Sequence, residues 1–331
     1  MKDIGIVGMP FSGKSTLFTA LTRAGSAGGR SHQAVVEVPD ERIAVLAVME
    51  KSRKRVPAKV KFVDVPGGLT AQGIGEFRQM DALCMVVRAY GADADPKGEL
   101  ASLEVELVLA DLASVENGLD KARKKSRGAQ ANEARAEVAA LEQAHALLEA
   151  ERPLTEGTFD EAGHKVLSGY GALTLKPWIV VANVAEEDAA SGAPDGFVGG
   201  AIPISAALEA EVAGLDDAEA AELLGGFGIE ERGLDRVVAA CYRALDLITF
   251  LTTGEDETRA WEVRRGAKAP EAAGVIHTDL QRGFIRAEVV GYDDLVGAGS
   301  WDSAKGKGLL RVEGKDYTVG EGDVLNIRFA V

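Results

Sequence analysis

The sequence predicts an α/β protein: a largely parallel wound sheet, interrupted by an antiparallel helical hairpin and followed by a small α+β module. Three observations carry that expectation. Short β-branched apolar runs alternate with helical patterns through the first two-thirds of the chain. A charged, alanine-rich stretch with heptad-like apolar steps interrupts them. After Thr249 the pattern changes to the alternation of half-exposed strands. At 331 residues the chain is about twice an ordinary domain length. Two domains are therefore expected, 1–247 and 248–331, with 101–160 inserted into the first.

The apolar runs fall at 4–7, 35–38, 60–63, 83–87, 178–182 and 201–204. They are rich in Val and Ile and mostly lack polar alternation, as strands covered on both faces do. Helical spacing, such as Leu17, Phe18 and Leu21, separates several of them, which argues for a wound α/β sheet. In the interruption, Leu103, Leu107, Leu112, Val115 and Leu119 form one stripe, and Val138, Leu141, His145 and Leu148 form another. Two such helices pack as a hairpin that turns near Gly128. Near the C-terminus, 261–263, 284–289 and 323–329 read as strands, and 297–308 reads as a glycine- and lysine-bearing loop.

The net charge of −15 and a hydrophobic fraction of 46% exclude a disordered chain and a globally basic nucleic-acid binder. Cys84 and Cys241 lie far apart, with no CxxC, metal-ligand cluster or disulfide framework, which suits a reducing cytoplasm. No secretory apolar segment is recognised at the start, and no run reaches the roughly 18 apolar residues of a membrane span. The expectation is a cytoplasmic protein without membrane contact.

One motif carries most of the chemistry. Gly8-Met-Pro-Phe-Ser-Gly-Lys14-Ser15 matches G-x-x-x-x-G-K-[ST], with a strand expected before it and a helix after it. That setting lets the backbone N–H groups of Phe11, Ser12, Gly13, Lys14, Ser15 and Thr16 curve around phosphate oxygens at a helix N-terminus. Lys14 would reach the β- and γ-phosphates, and the Ser15 hydroxyl would ligate Mg²⁺. Asp64-Val-Pro-Gly67 fits the D-x-x-G that follows such a loop in nucleotide switches. Asp64 would hold the Mg²⁺ shell and the Gly67 N–H would sense the γ-phosphate. Asn183-Val184-Ala-Glu186 ends a strand where such switches read the base, normally with Asn-Lys-x-Asp. Val184 supplies no long stem over the ring, and Glu186 is a longer carboxylate, so guanine selectivity should be weakened. Ser205-Ala206-Ala207 is expected to close over the base with a backbone N–H.

These residues resemble the Obg-related YchF family of P-loop NTPases, of the translation-factor class. The Asn-x-x-Glu variant is similar to that family's own, as are Val38-Pro-Asp40-Glu-Arg42 and the 227–236 segment. The C-terminal match rests on Arg259-Ala-Trp261, on Ala272 through His277 to Asp279, on Gly283 to Glu288, and on Glu313 to Tyr317. The resemblance implies a P-loop NTPase fold with the hairpin inserted, and a C-terminal ubiquitin-like β-grasp (TGS) domain. It also implies hydrolysis of ATP or GTP with Mg²⁺, and contact with ribosomes.

The chain departs from the family pattern in its switches. The segment 24–32 is short and glycine-rich, and no Thr lies between Thr22 and Thr70; either Ser31 substitutes as the hydroxyl or the segment is a loop with no metal role. The second switch is trimmed, lacks the water-positioning His that the family implies, and has Gly68 where related enzymes place a Gln. Gln72 and Glu76 are the nearby groups that could orient water, and no catalytic residue is assigned. Lys121, Arg123, Lys124, Lys125 and Arg127 cluster near the hairpin tip. They read either as an RNA-phosphate contact or as a solvated helix end, and the resemblance favours RNA. His145, His164 and His277 read as structural or exposed. The sequence thus points to a purine-nucleotide switch, a slow ATPase or GTPase that contacts ribosomes. The alternative is a hydrolysis-defective adaptor that docks on RNA or ribosomes with degenerate switch loops. Neither the ATP-versus-GTP preference nor the oligomeric state follows from the sequence.

Overall fold

The computed structural model describes residues 1–24, 26–27, 32–65, 68–126, 131–192 and 200–330. Among them run thirteen strands: β1 (Lys2–Gly8), β2 (Ser26–Ala27), β3 (Gln33–Glu37), β4 (Lys54–Val56), β5 (Lys59–Asp64), β6 (Ala82–Arg88), β7 (Trp178–Asn183), β8 (Ile202–Ile204), β9 (Leu247–Thr252), β10 (Glu257–Arg264), β11 (Phe284–Gly291), β12 (Arg311–Glu313) and β13 (Asp323–Phe329). Chain contacts divide the molecule into two compact units. One comprises Lys2–Val36 and Lys61–Val237; the other comprises Met1, Glu37–Val60 and Val238–Val331. The segment 37–60 therefore groups with the C-terminal part of the chain.

The larger unit is built on a seven-stranded sheet of order β2-β3-β5-β1-β6-β7-β8. Strands β1, β6, β7 and β8 pair in parallel, while β2 and β3 are antiparallel. Every residue from Ala82 to Val87 is buried, as the unbroken apolar runs require of interior parallel strands. The hairpin helices span Pro96–Lys125 and Ala131–Glu149. Asp95 caps the first by accepting from the Gly98 N–H, and Pro96 sits at its start, where no amide hydrogen is needed. Val108, Val115, Leu119, Leu141, Ala144 and Leu148 form the seam together with Leu154 and Leu167. At roughly 1.5–3 kcal/mol for each large apolar side chain removed from water, this seam supplies much of what holds the hairpin together.

The first hairpin helix also enters the sheet's core. Leu103 and Leu107 are fully buried with Val65, Phe77, Leu83 and Met85. Farther along, Asp111 is fully buried and its carboxylate is fully used. It accepts from Arg78 Nη1 at 2.8 Å, the Leu173 N–H at 3.0 Å, and the Thr174 N–H and hydroxyl at 2.7 and 2.9 Å. Arg78 ends the helix Ala71–Phe77, so this buried ion pair ties the hairpin to the end of the trimmed switch.

The second unit carries a six-stranded sheet of order β12-β11-β13-β9-β10-β4. A β9–β10 hairpin leads into the helix Ala269–Ile276, and β13 then inserts between β9 and β11, parallel to β9. A last strand that returns to the middle beside the first is the β-grasp order. The short strand β4 extends the edge by pairing in parallel with β10. The expected loop at 297–308 instead holds the end of the helix Tyr292–Ala298 and a second helix, Trp301–Gly306. Ser300 caps the latter by accepting from the Ser303 N–H, which outweighs the glycine content that suggested a loop.

Candidate functional site

The phosphate loop leaves the end of β1 and turns into the helix Lys14–Ala24. Two glycines are required by its geometry. A Cβ on Gly8 would lie 2.6 Å from the Val86 carbonyl oxygen, because β1 and β6 pair closely there. Gly13 has φ +91°, and a Cβ on it would lie 2.0 Å from Asn183 Nδ2. Phe11 also has positive φ, at 67°, which is costly for a bulky residue. Its carbonyl accepts a hydrogen bond from the Tyr90 hydroxyl at 2.8 Å, and the residue is 87% exposed.

Asn183, at the end of β7, holds this loop from behind. Its side-chain amide donates to the Ser12 carbonyl at 3.0 Å, and its side-chain oxygen accepts from the Ala206 N–H at 2.9 Å. One buried side chain thus fastens the phosphate loop to the expected base-closing loop. The Val184 N–H donates to the Ile204 carbonyl at 2.8 Å, and the Val184 side chain is buried. Glu186 is exposed at the start of a short 3₁₀ turn, Glu186–Asp188. Ser205 caps the helix Ala206–Val212, and Ala207 is exposed. On that helix, burial pushes the Glu209 carboxyl above the usual carboxylate range, against the pull of Arg232. Glu209 accepts from the Gly233 N–H at 2.6 Å, which anchors the start of the helix Gly233–Ala244.

Lys14, Ser15 and Asp64 line one cavity of about 610 Å³ with Gly8, Gly68 and Glu106. Among the described residues Lys14 donates only a long hydrogen bond, 3.4 Å, to the Met9 carbonyl, so its ammonium is little committed there. The Ser12 side chain is fully buried and its hydroxyl has no hydrogen-bond partner among the described residues. A lightly held lysine, a helix N-terminus and a loop shaped by Gly8 and Gly13 fit the chemistry of a bound phosphate chain. A Ser hydroxyl and a carboxylate in the same cavity fit Mg²⁺, which takes few protein ligands beside phosphate and water.

Gly67, Ser31 and Arg127 lie outside the described residues. Gln72 is exposed, and neither it nor Glu76 is among the residues that line the cavity. Glu106, on the first hairpin helix, does line it, and no motif in the sequence marked it. The available signal was its place between Leu103 and Leu107, which bury the same helix against the cavity's floor. Lys121, Arg123, Lys124 and Lys125 are all exposed in the last turns of that helix. Arg123 is engaged with Glu142 across the hairpin at 2.8 Å, so it is a weaker candidate for RNA than its neighbours.

Among the described residues no group of three or more His, Cys, Asp or Glu side chains is arranged to hold a metal. His145 does have carboxylate neighbours, Glu116 at 3.6 Å and Glu149 at 3.3 Å, in the hairpin seam. His164 packs edge-on to Phe159, and His277 Nδ1 accepts from the Asp279 N–H at 3.1 Å. Cys84 and Cys241 are buried. No helix among the described residues is long and apolar enough to cross a membrane.

Comparison with known proteins finds family matches over both parts of the chain. A family model described as a 50S ribosome-binding GTPase matches residues 3–183, and the C-terminal model of the YchF GTPases, described as a protein of unknown function, matches 247–330. The chain is 37% identical to the ribosome-binding ATPase YchF of Bacillus subtilis, over 99% of both chains. It is 38% identical to that of Haemophilus influenzae, again over 99% of both. A solved structure of the Schizosaccharomyces pombe YchF GTPase superposes with a TM-score of 0.90 at 31% identity, covering 99% of this chain and 97% of the other.

Proposed function

The chain belongs to the YchF family of P-loop NTPases, and from that premise we propose that it binds purine nucleoside triphosphate with Mg²⁺, hydrolyses it slowly and works as a switch on ribosomes. The observation that carries the reading is the convergence of Lys14, Ser15 and Asp64 on one cavity, behind a phosphate loop pinned by Asn183. The backbone amides from Phe11 to Thr16 hold the phosphates, and Lys14 turns from the Met9 carbonyl to the β- and γ-oxygens. Ser15 and Asp64 would hold Mg²⁺, whose charge offsets that of the phosphate oxygens when it is bound.

The base site favours ATP over a strict guanine preference. Val184 is buried and lays no stem over the ring, and the Glu186 side chain is exposed, with no hydrogen bond or ion pair among the described residues. The relatives' names, ribosome-binding ATPase and Obg-like ATPase, support both the ATP and the ribosome parts of the reading. Residues 248–331 are read as the family's TGS module, and the exposed Lys121, Lys124 and Lys125 are read as an RNA-phosphate contact.

Gly68, where a water-positioning side chain is expected, favours a second reading, a nucleotide-binding adaptor without turnover. Phosphate release measured with and without ribosomes separates the two. A switch releases phosphate, faster on ribosomes; an adaptor releases none in either case.

A further inference from the structure

We propose that Glu106, on the inserted hairpin, positions the water that attacks the γ-phosphate. This rests on the nucleotide reading above and deepens it. The cavity lined by Lys14, Ser15 and Asp64 is also lined by Gly68 and Thr70 of the trimmed switch, and by Glu106. Gly68 has no side chain to orient water, and Gln72 and Glu76 are not among the lining residues. Asp64 and Ser15 are committed to the metal side. Among the lining side chains, Glu106 is thus the carboxylate left to accept a hydrogen bond from water on the switch side of the phosphates.

Its placement is fixed by its helix. Leu103 and Leu107 are fully buried in the same core as Val65, with Met9 and Leu69 packed against it, and these last three residues also line the cavity. One turn farther on, Asp111 holds Arg78 through a buried ion pair, and Arg78 Nη2 also donates to the Ala110 carbonyl at 2.8 Å. Arg78 terminates the helix that Thr70 caps, so the cavity's switch wall and the Glu106 helix are locked to one frame. A rigid helix presenting a carboxylate is what water positioning needs, because misplacement by about 1 Å costs much of the rate.

In the step, the water oxygen forms a bond to the γ-phosphorus while the bond from that phosphorus to the β–γ bridging oxygen breaks. The bridging oxygen keeps the electron pair as part of the diphosphate. The water proton passes to the Glu106 carboxylate and from there to solvent, leaving inorganic phosphate. Lys14 and the N-terminus of the helix Lys14–Ala24 offset the charge that a carboxylate brings near the phosphates.

The test compares wild type, Glu106→Gln and Glu106→Asp as full chains with Mg²⁺. Glu106 is exposed and Gln is isosteric, so folding is expected to survive; thermal unfolding checks it, and the Asp variant stands if the Gln variant misfolds. Glu106→Gln should lower kcat about 10²–10⁴-fold, the usual worth of a positioned acid or base. ATP affinity by calorimetry should stay within about threefold, and the added affinity for ADP with aluminium fluoride should be lost. Glu106→Asp should recover part of kcat. An unchanged kcat in Glu106→Gln, or ATP affinity falling in parallel with kcat, overturns the positioning role. A wild type that binds ATP but releases no phosphate overturns it too, while leaving nucleotide binding intact. A wild type that binds no ATP overturns both readings.

Discussion

Asn183 should matter more as a strut than as a reader of the base, and its removal gives a calculable loss. Asn183→Ala deletes both the donor to the Ser12 carbonyl and the acceptor for the Ala206 N–H. Ser12 and Ala206 are both buried, at 0% and 1% exposure, so each orphaned backbone group is left with a desolvation cost of about 1–3 kcal/mol. Water entering the space left by the amide offsets part of this, giving about 2–4 kcal/mol for the unit that contains β7. The loop around Phe11 and Gly13 is then no longer held in its binding shape, and Phe11 is free to leave its strained φ. ATP affinity should fall about 10- to 100-fold, since each 1.4 kcal/mol of lost preorganisation is tenfold. Scanning calorimetry reads the loss of stability, and isothermal titration reads the affinity. A shift below about 0.5 kcal/mol with unchanged ATP affinity would refute the reasoning, because it would mean that neither bond is maintained in solution.

Further outcomes follow from other parts of the structure. Gly13→Ala drives a Cβ into the Asn183 amide at a φ of +91°, and should abolish ATP binding in a titration while circular dichroism stays native. Asp111→Ala leaves Arg78 unpaired beside three orphaned donors, and should cost about 3–5 kcal/mol in urea unfolding of the larger unit. Burial pushes the Asp81 carboxyl up, but hydrogen bonds from the Asp3 N–H and the Lys2 ammonium outweigh it and hold the pKa below the usual aspartate value. A depressed folded value gives stability that is present above the unfolded pKa and lost as pH falls through the folded one. The Tm gap between wild type and Asp81→Asn should therefore be full at neutral pH and close as pH falls below the usual aspartate range, and a constant gap would contradict the assignment. Replacing Lys121, Lys124 and Lys125 by Glu should weaken ribosome co-sedimentation, most visibly at low salt, whereas replacing Arg123 alone should do less because Glu142 already holds it.

What could be read from the sequence was what local chemistry dictates. The phosphate loop was legible because close backbone approach at Gly8 and a left-handed turn at Gly13 leave few residue choices. The interior strands were legible because burial on both faces removes polar residues from runs such as 82–87. The hairpin announced itself through stripes that end up in one seam. Features set by long-range contacts were not legible. Strand β4 is a three-residue Lys-Arg-Val segment with no apolar run, and only its pairing with β10 makes it a strand. Asn183 sits where a base reader is expected, yet both of its polar ends are spent on the protein's own backbone. Glu106 reads as one more acid on a charged helix until folding brings it to the cavity that Lys14 also lines. The strain at Phe11 was hidden for the same reason, since a left-handed aromatic has no sequence mark.

The account stands on the phosphate loop gripping a triphosphate with Mg²⁺. Calorimetric titration of the full chain with ATP, GTP, ADP and GDP, with and without Mg²⁺, tests it most directly, with Lys14→Ala as the control. The expected result is Mg²⁺-dependent binding of the triphosphates, no strict preference for guanine, and loss of binding in Lys14→Ala. Absence of triphosphate binding in the wild type, or the same affinity in Lys14→Ala, would contradict it.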